Sequence, residues 1–293
     1  MALAVRSLAE AITQATGRTF VPASSVSVAG GCIHRAADLR GVDGRRYFVK
    51  LNDADKGSMF AAEAEGLAEI AASHSVRTPL PVAQGVADGS AFLALEWLDL
   101  GGRGSAVELG RALARMHRTR AGAHGWHRDN WIGATPQINP ITEGWVAFWG
   151  RARLGVQLEL AAAKGCPRGL VQSGERLLAS LAAFFPGYAP FPSLLHGDLW
   201  GGNYGYAGGQ PVLFDPAVYY GDRETDLAMT ELFGGFPAGF HASYRESFPL
   251  DPGYPVRKGL YNLYHVLNHF NLFGGGYARQ AQDMAARLLA EAG

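Results

Sequence analysis

Two stretches decide how this chain reads: Leu194-Leu195-His196-Gly197-Asp198-Leu199-Trp200-Gly201-Gly202-Asn203, and then Val212-Leu213-Phe214-Asp215-Pro216-Ala217. A glycine-rich loop can turn Asp198 and Asn203 towards one cavity. The apolar strand ahead of Asp215 can deliver its carboxylate to the same place. Asn203 and Asp215 are hard oxygen donors of the kind Mg²⁺ prefers, with water and phosphate oxygens completing its shell. Asp198 is then left to accept a proton from an attacking hydroxyl, the division of labour of phosphoryl transfer. His-Gly-Asp alone would read equally as a turn with a capping aspartate. The asparagine and the second aspartate at these spacings tip the balance.

Working back along the chain, Gly30-Gly31-Cys32 lies between two β-like stretches and could cover phosphates with main-chain N–H groups. It matches neither common nucleotide-loop pattern and is weak on its own. Lys50 ends the apolar run Tyr47-Phe48-Val49-Lys50. It reads either as an edge lysine or as the lysine that binds α/β-phosphates and is held by a helix glutamate. The next helical stretch, Met59 to Ala72, offers Glu63, Glu65 and Glu69 as partners and should end at Pro79 and Pro81. Ala91 to Trp97 is the size of a buried strand.

The flexible Gly101-Gly102-Arg103-Gly104-Ser105 marks a hinge, after which helical periods dominate: Val107–His117, Trp145–Ala163, Arg176–Phe185, Asp226–Phe233 and Leu260–Phe273. A strand-rich first hundred residues and a helix-rich remainder predict an α+β fold with segregated lobes, 1–98 and 99–293.

Composition narrows the classes. The 293 residues carry 26 Lys+Arg against 26 Asp+Glu, so the formal net charge is zero, which argues against a general nucleic-acid binder. Two cysteines, Cys32 and Cys166, exclude a disulfide scaffold and a four-cysteine zinc site. No apolar run approaches a membrane span and none near Met1–Glu10 reads as a signal peptide, so the expected location is the cytoplasm.

These stretches resemble the fructosamine-3-kinase (ketosamine-3-kinase) family, within the wider aminoglycoside-phosphotransferase and protein-kinase-like fold. The resemblance is carried by Gly30–Ile33, Phe48–Asn52, Met59-Phe60 with Glu63, Asp129–Gln137, His196–Asn203, Asp215–Glu224, Asp226–Met229 and Leu232–Phe236. It implies a bilobal fold with a nucleotide-binding first lobe and a catalytic, acceptor-binding second lobe. It also implies ATP and Mg²⁺ as cofactors, Glu63 as the partner of Lys50, and Glu96-Trp97-Leu98 as the hinge that meets adenine. Asp198 would be the base, Asn203 and Asp215 the metal ligands. The implied acceptor is the 3-hydroxyl of a fructosamine or ribulosamine, free or on a protein lysine, with deglycation as the outcome. Some relatives are thought to form disulfides at the Cys32 position, so a Cys32-linked dimer is an option. The family commonly has Ser in place of Gly201 and His in place of Asp222; the extra charge of Asp222 would lie near the metal and tune substrate preference.

Two rival readings remain: another small-molecule kinase of the same fold, acting on an aminoglycoside or choline-type acceptor, and a catalytically dead nucleotide-binding module. The first would need an acidic pocket, for which Asp222, Glu224 and Asp226 are the candidates. The second should lack Lys50, Asp198, Asn203 or Asp215, and all four are present. Trp200 could stack on a sugar face or anchor the loop as a core aromatic. Cys32 reads either as an inert small residue or as a redox handle, and Cys166 as a surface loop residue. Asp226 is an N-cap candidate that could also brace the catalytic loop. His265 and His269 read as packing groups rather than metal ligands.

Overall fold

The computed structural model describes residues 2–28 and 34–292. It divides into two compact units, Met1–Gly104 with Gly205–Pro216, and Ser105–Tyr204 with Ala217–Gly293.

In the first unit, α1 (Ala2–Thr16) leads into a five-stranded antiparallel sheet. Its strands are β1 (Pro22–Val28), β2 (Arg35–Gly41) and β3 (Arg46–Asp53), then, after helix α2 (Gly57–Ala72), β4 (Pro81–Ala87) and β5 (Ser90–Glu96), in the order β1-β2-β3-β5-β4. Successive side chains of a strand point to opposite faces. Leu39, Tyr47, Val49, Phe92 and Ala94 therefore pack with Leu8, Ala9 and Ile12 of α1. Phe48, Ala91, Leu93 and Leu95 pack with Phe60, Ala64 and Leu67 of α2. Lys50 shares the parity of Phe48, so the same pattern that buries the core aims the lysine at α2. That helix starts two residues ahead of Met59 and ends at Ala72, as its sequence bound has it; His74 then takes a left-handed φ of 50°, and Pro81 opens β4. The hairpin Gly205–Pro216 belongs to this unit, where the Leu213 N–H donates to the Arg77 carbonyl at 3.0 Å.

The second unit begins at α3 (Ala106–Met116), whose N-cap Ser105 accepts the Glu108 N–H through its hydroxyl at 3.2 Å. A short hairpin, β6 (Asn130–Ile132) and β7 (Thr135–Gln137), follows. Trp145–Ala163 is helical throughout, as α4 (Trp145–Trp149), a wide turn over Gly150–Leu154 and α5 (Gly155–Ala163). Helix α6 runs over Arg168–Ser180, starting well before Arg176, where the apolar period becomes visible. Strand β8 (Ser193–Leu195) precedes the hairpin strands β9 (Tyr204–Ala207) and β10 (Gln210–Leu213), and pairs with β11 (Tyr219–Gly221). Helices α7 (Glu224–Leu232), α8 (Phe240–Ser247), α9 (Tyr254–Phe273) and α10 (Tyr277–Ala292) complete the unit. Helix α9 is buried along most of its length, through Leu260, Tyr261, Leu263, Tyr264, Val266 and Leu267, and is the core element against which α5, α7 and α10 pack. Among the described residues no helix is long and apolar enough to cross a membrane.

Candidate active site

The first unit builds its site around one cation. Lys50 Nζ lies 2.5 Å from Glu63 Oε1 and 2.6 Å from Asp215 Oδ1. Glu63, not Glu65 or Glu69, is the α2 carboxylate bonded to it. Burial alone would lower the lysine's pKa, but Asp215 and Glu63 together hold it above its ordinary value. Burial and the charge of Asp215 push the Glu63 carboxyl up against the pull of Lys50. Asp215 does not lie in a strand; it sits just past β10 with φ of 57°, a left-handed conformation that non-glycine residues rarely adopt. Such strain persists where the surroundings over-determine it, often at functional sites. A charged lysine beside an exposed carboxylate is a combination that can orient a polyphosphate.

His34 stands opposite Asn52 on the Lys50 face of the sheet, in the β2–β3 register that pairs Ala36 with Lys50. Its Nδ1 lies 2.9 Å from Asn52 Nδ2, and its ring tilts over Phe60 at 5.0 Å between centroids. Burial, helped by Lys50, lowers its pKa to about 4.

Glu96 ends β5 with its carboxylate on Arg77 at 2.7 Å and accepting the Leu80 N–H at 3.4 Å. Trp97 carries the Arg46 guanidinium 3.5 Å above its ring and donates from Nε1 to Asp99 at 2.8 Å. Leu98 follows in irregular chain. Gly30, Gly31 and Cys32 lie outside the described residues, and with them the expected phosphate cover and the thiol of the Cys32-linked dimer.

In the second unit the loop after β8 is shaped by its own side chains. Asn203 Nδ2 donates to the Asp198 carbonyl at 2.9 Å and approaches Asp198 Oδ2 at 3.4 Å. That bond orients the amide, so Oδ1 is the atom it turns to other partners. Gly197 has φ of +82° and a side chain there would overlap the Ala217 carbonyl, so glycine is required. Gly201 lies against the Gly234–Gly235 backbone, with room for a Cβ only at 3.1 Å from the Gly234 carbonyl oxygen. Trp200 is 43% exposed, its ring over Gly202, so it is not a core anchor.

Asp226 lies inside α7 rather than at its N-cap, which is Arg223. Its carboxylate accepts the main-chain N–H of His196 at 2.7 Å and of Gly197 at 2.9 Å, and meets His117 Nε2 at 3.1 Å. Burial would raise its pKa; the bond to His117 and the other charges and N–H groups hold it below the usual carboxylate value. Tyr244 completes the chain, its hydroxyl 2.7 Å from His117 Nδ1. His117, the C-cap residue of α3, looks in the sequence like the last position of an apolar helical period, and only the fold brings it to Asp226.

The Asp129–Gln137 stretch also gains a place. Asn130 Nδ2 donates to the Val218 carbonyl at 2.7 Å and Gln137 Nε2 to the Ala217 carbonyl at 3.1 Å, so this hairpin pins the chain just after Asp215.

Asp222 corrects an expectation. It is fully buried, accepting from the hydroxyls of Tyr261 at 2.6 Å and Tyr188 at 3.0 Å and from the Glu224 N–H at 3.0 Å, so its charge is internal. Glu224 is equally buried and paired with Arg257 through two oxygens, at 2.8 and 3.1 Å. Cys166 is buried rather than on the surface, and burial pushes its thiol pKa up, away from reactivity. His265 and His269 are packing groups: His265 is buried, and His269 Nδ1 bonds the His265 carbonyl at 2.8 Å.

A family model described as fructosamine kinase matches residues 4–291. The chain belongs to the fructosamine kinase family. A probable ketoamine kinase of Synechocystis is 48% identical over 294 residues, covering 97% of this chain and 96% of that protein. A chloroplastic protein-ribulosamine 3-kinase of Arabidopsis thaliana is 41% identical over 263 residues, covering 88% of this chain and 80% of that one. The crystal structure of a proposed fructosamine-3-kinase from Haemophilus somnus matches with a TM-score of 0.90 at 28% identity, covering 98% of each chain. The fold is accordingly the α+β protein-kinase-like fold, and this family member is an ATP-using phosphotransferase.

Proposed function

We propose that this kinase transfers the γ-phosphoryl group of ATP to the 3-hydroxyl of a ketosamine, a fructosamine or ribulosamine carried by a free amine or a protein lysine. The 3-phosphate then releases the amine, so the role is deglycation repair, with the cytoplasm as its setting. The observation that supports phosphoryl transfer most strongly is Lys50 held between Glu63 and Asp215. The acceptor class rests on the names of the relatives.

In this reading Lys50, kept charged by its two carboxylates, orients the ATP phosphates, and Gly30-Gly31 covers them with main-chain N–H groups. Glu96-Trp97-Leu98 meets adenine. Asp198 orients the sugar 3-hydroxyl and takes its proton as the new O–P bond forms and the bond to the leaving ADP oxygen breaks. Trp200, exposed beside that base, offers its ring to a sugar face. The oxygens of Asn203 and Asp215 suit Mg²⁺: they are an amide oxygen and a carboxylate, with no thiolate or imidazole. Among the described residues no group of three or more acidic, His or Cys side chains forms a ready cage, so phosphate oxygens and water would complete the shell. When bound, Mg²⁺ supplies neutralisation of charge on the β- and γ-phosphates.

The rival aminoglycoside reading needs an acidic face for a polycation. Asp222, Glu224 and Asp226, its candidates, are all buried and internally bonded. The test is ADP release with fructosyl-lysine, ribulosyl-lysine, kanamycin and choline side by side. Turnover of a ketosamine alone supports the proposal; turnover of kanamycin or choline without either ketosamine contradicts it.

A further inference from the structure

His34 is not one of the groups to which the mechanism above gives a role, yet it stands on the Lys50 face of the sheet. The β2–β3 register sets it across from Asn52, two residues beyond Lys50 on the neighbouring strand. An amide nitrogen is only a donor, so Asn52 Nδ2, 2.9 Å from His34 Nδ1, makes that ring nitrogen the acceptor. The ring proton is thereby placed on Nε2. Phe60 fixes the plane of the ring from below, at 5.0 Å between centroids. Among the described residues Nε2 makes no hydrogen bond. A histidine whose tautomer is set by one neighbour and whose plane is set by another is a prepared donor without a described acceptor.

The acceptors this face is built for are phosphate oxygens, if Lys50 is the phosphate lysine. We infer that His34 is a nucleotide-phosphate ligand: its Nε2–H donates to an oxygen of the β- or γ-phosphate of ATP, beside Lys50. The chemistry suits a neutral donor. A second cation beside Lys50 would repel it, whereas an N–H dipole adds a hydrogen bond without adding charge. Asn52 then acts as a positioning residue, holding the tautomer that makes Nε2 a donor. The inference rests on the ATP-binding reading of Lys50.

The experiment is calorimetric titration of the full-length chain with ATP and with AMP, in Mg²⁺ and with no acceptor, for wild type, His34→Leu and His34→Gln. Wild-type affinity reports on the ATP-binding reading; each variant against wild type reports on His34. A hydrogen bond to a charged group is worth roughly ten- to a hundredfold in affinity. His34→Leu should therefore lose about that factor for ATP and bind AMP as wild type does, because AMP has neither of the outer phosphates. His34→Gln, which keeps an N–H donor, should recover most of the ATP affinity. Unchanged ATP affinity in His34→Leu would overturn the assignment. So would equal losses for ATP and AMP, or equal losses in the Leu and Gln variants, since each marks a packing role. Because no ketosamine is present, an error in the acceptor class leaves this result untouched.

Discussion

Asp226 holds His196 by its backbone: the carboxylate Oδ2 accepts the His196 main-chain N–H at 2.7 Å, across a sequence separation of 30 residues. Its other oxygen takes the Gly197 N–H, and His117 approaches from α3. The entrance to the loop bearing Asp198 is thus fixed from the core. Asp226→Asn replaces one acceptor oxygen by a donor facing an N–H. It should cost about 1–3 kcal/mol of stability, the penalty for a buried unsatisfied group, and lower kcat as the loop loosens. Denaturant unfolding beside steady-state rates checks this; a variant equal to wild type in both would show that the brace is dispensable.

Lys50→Met keeps the strand's bulk but strands the buried carboxylate of Glu63. Breaking a buried pair by removing one partner costs about 3–5 kcal/mol, largely the unpaired charge. The double variant Lys50→Met/Glu63→Gln should regain much of that stability and none of the activity. A double variant no more stable than Lys50→Met would mean that Glu63 does not depend on Lys50 for its burial.

Much of this could be read from the sequence because it is encoded locally. The period of two across Tyr47–Leu51 sends Val49 to one face and Lys50 to the other, and the spacing from Asp198 to Asn203 is a property of a single loop. What escaped depends on long-range contact. His117 looks like part of an apolar helical stripe until Asp226 arrives from α7. The buried state of Asp222 depends on Tyr188 and Tyr261, which are far away in sequence. Helix α2 ends at Ala72, where its helix-forming run ends in the sequence, but the left-handed φ of His74 just beyond it is marked by no propensity. Helices α8 and α10 were missed because their apolar faces are narrow, a few residues each.

Glycines of the catalytic loop should differ sharply in tolerance. Gly197→Ala meets both a positive φ and the Ala217 carbonyl, and left-handed strain plus overpacking should cost about 2–5 kcal/mol. Gly201→Ser needs only a shift of a few tenths of an ångström against Gly234, with no positive φ to strain, and should cost clearly less than Gly197→Ala. Thermal unfolding of the two proteins checks the ranking; equal losses would contradict it.

His265 provides a pH test. Burial is the main cause that lowers its pKa to about 3, so the folded protein keeps it neutral. The unfolded chain binds a proton there below about pH 6.5, so this contribution is present above that value and is lost as pH falls towards the folded value. Relative to wild type, His265→Gln should gain about 1.4 kcal/mol of stability per pH unit on acidification from pH 6 to pH 4. A difference independent of pH would show that His265 is not held neutral.

The most direct test of the account is ³¹P NMR of the product formed from ribulosyl-lysine or fructosyl-lysine by wild type and by Asp198→Asn. Asparagine keeps the size of the side chain but is a very poor proton acceptor, and general-base catalysis is typically worth about 10²–10⁴-fold. Wild type should place phosphate on the sugar 3-hydroxyl, and Asp198→Asn should form the same product slower by that factor, with ATP affinity little changed. Phosphate on another hydroxyl, or an Asp198→Asn protein with undiminished kcat, would contradict it.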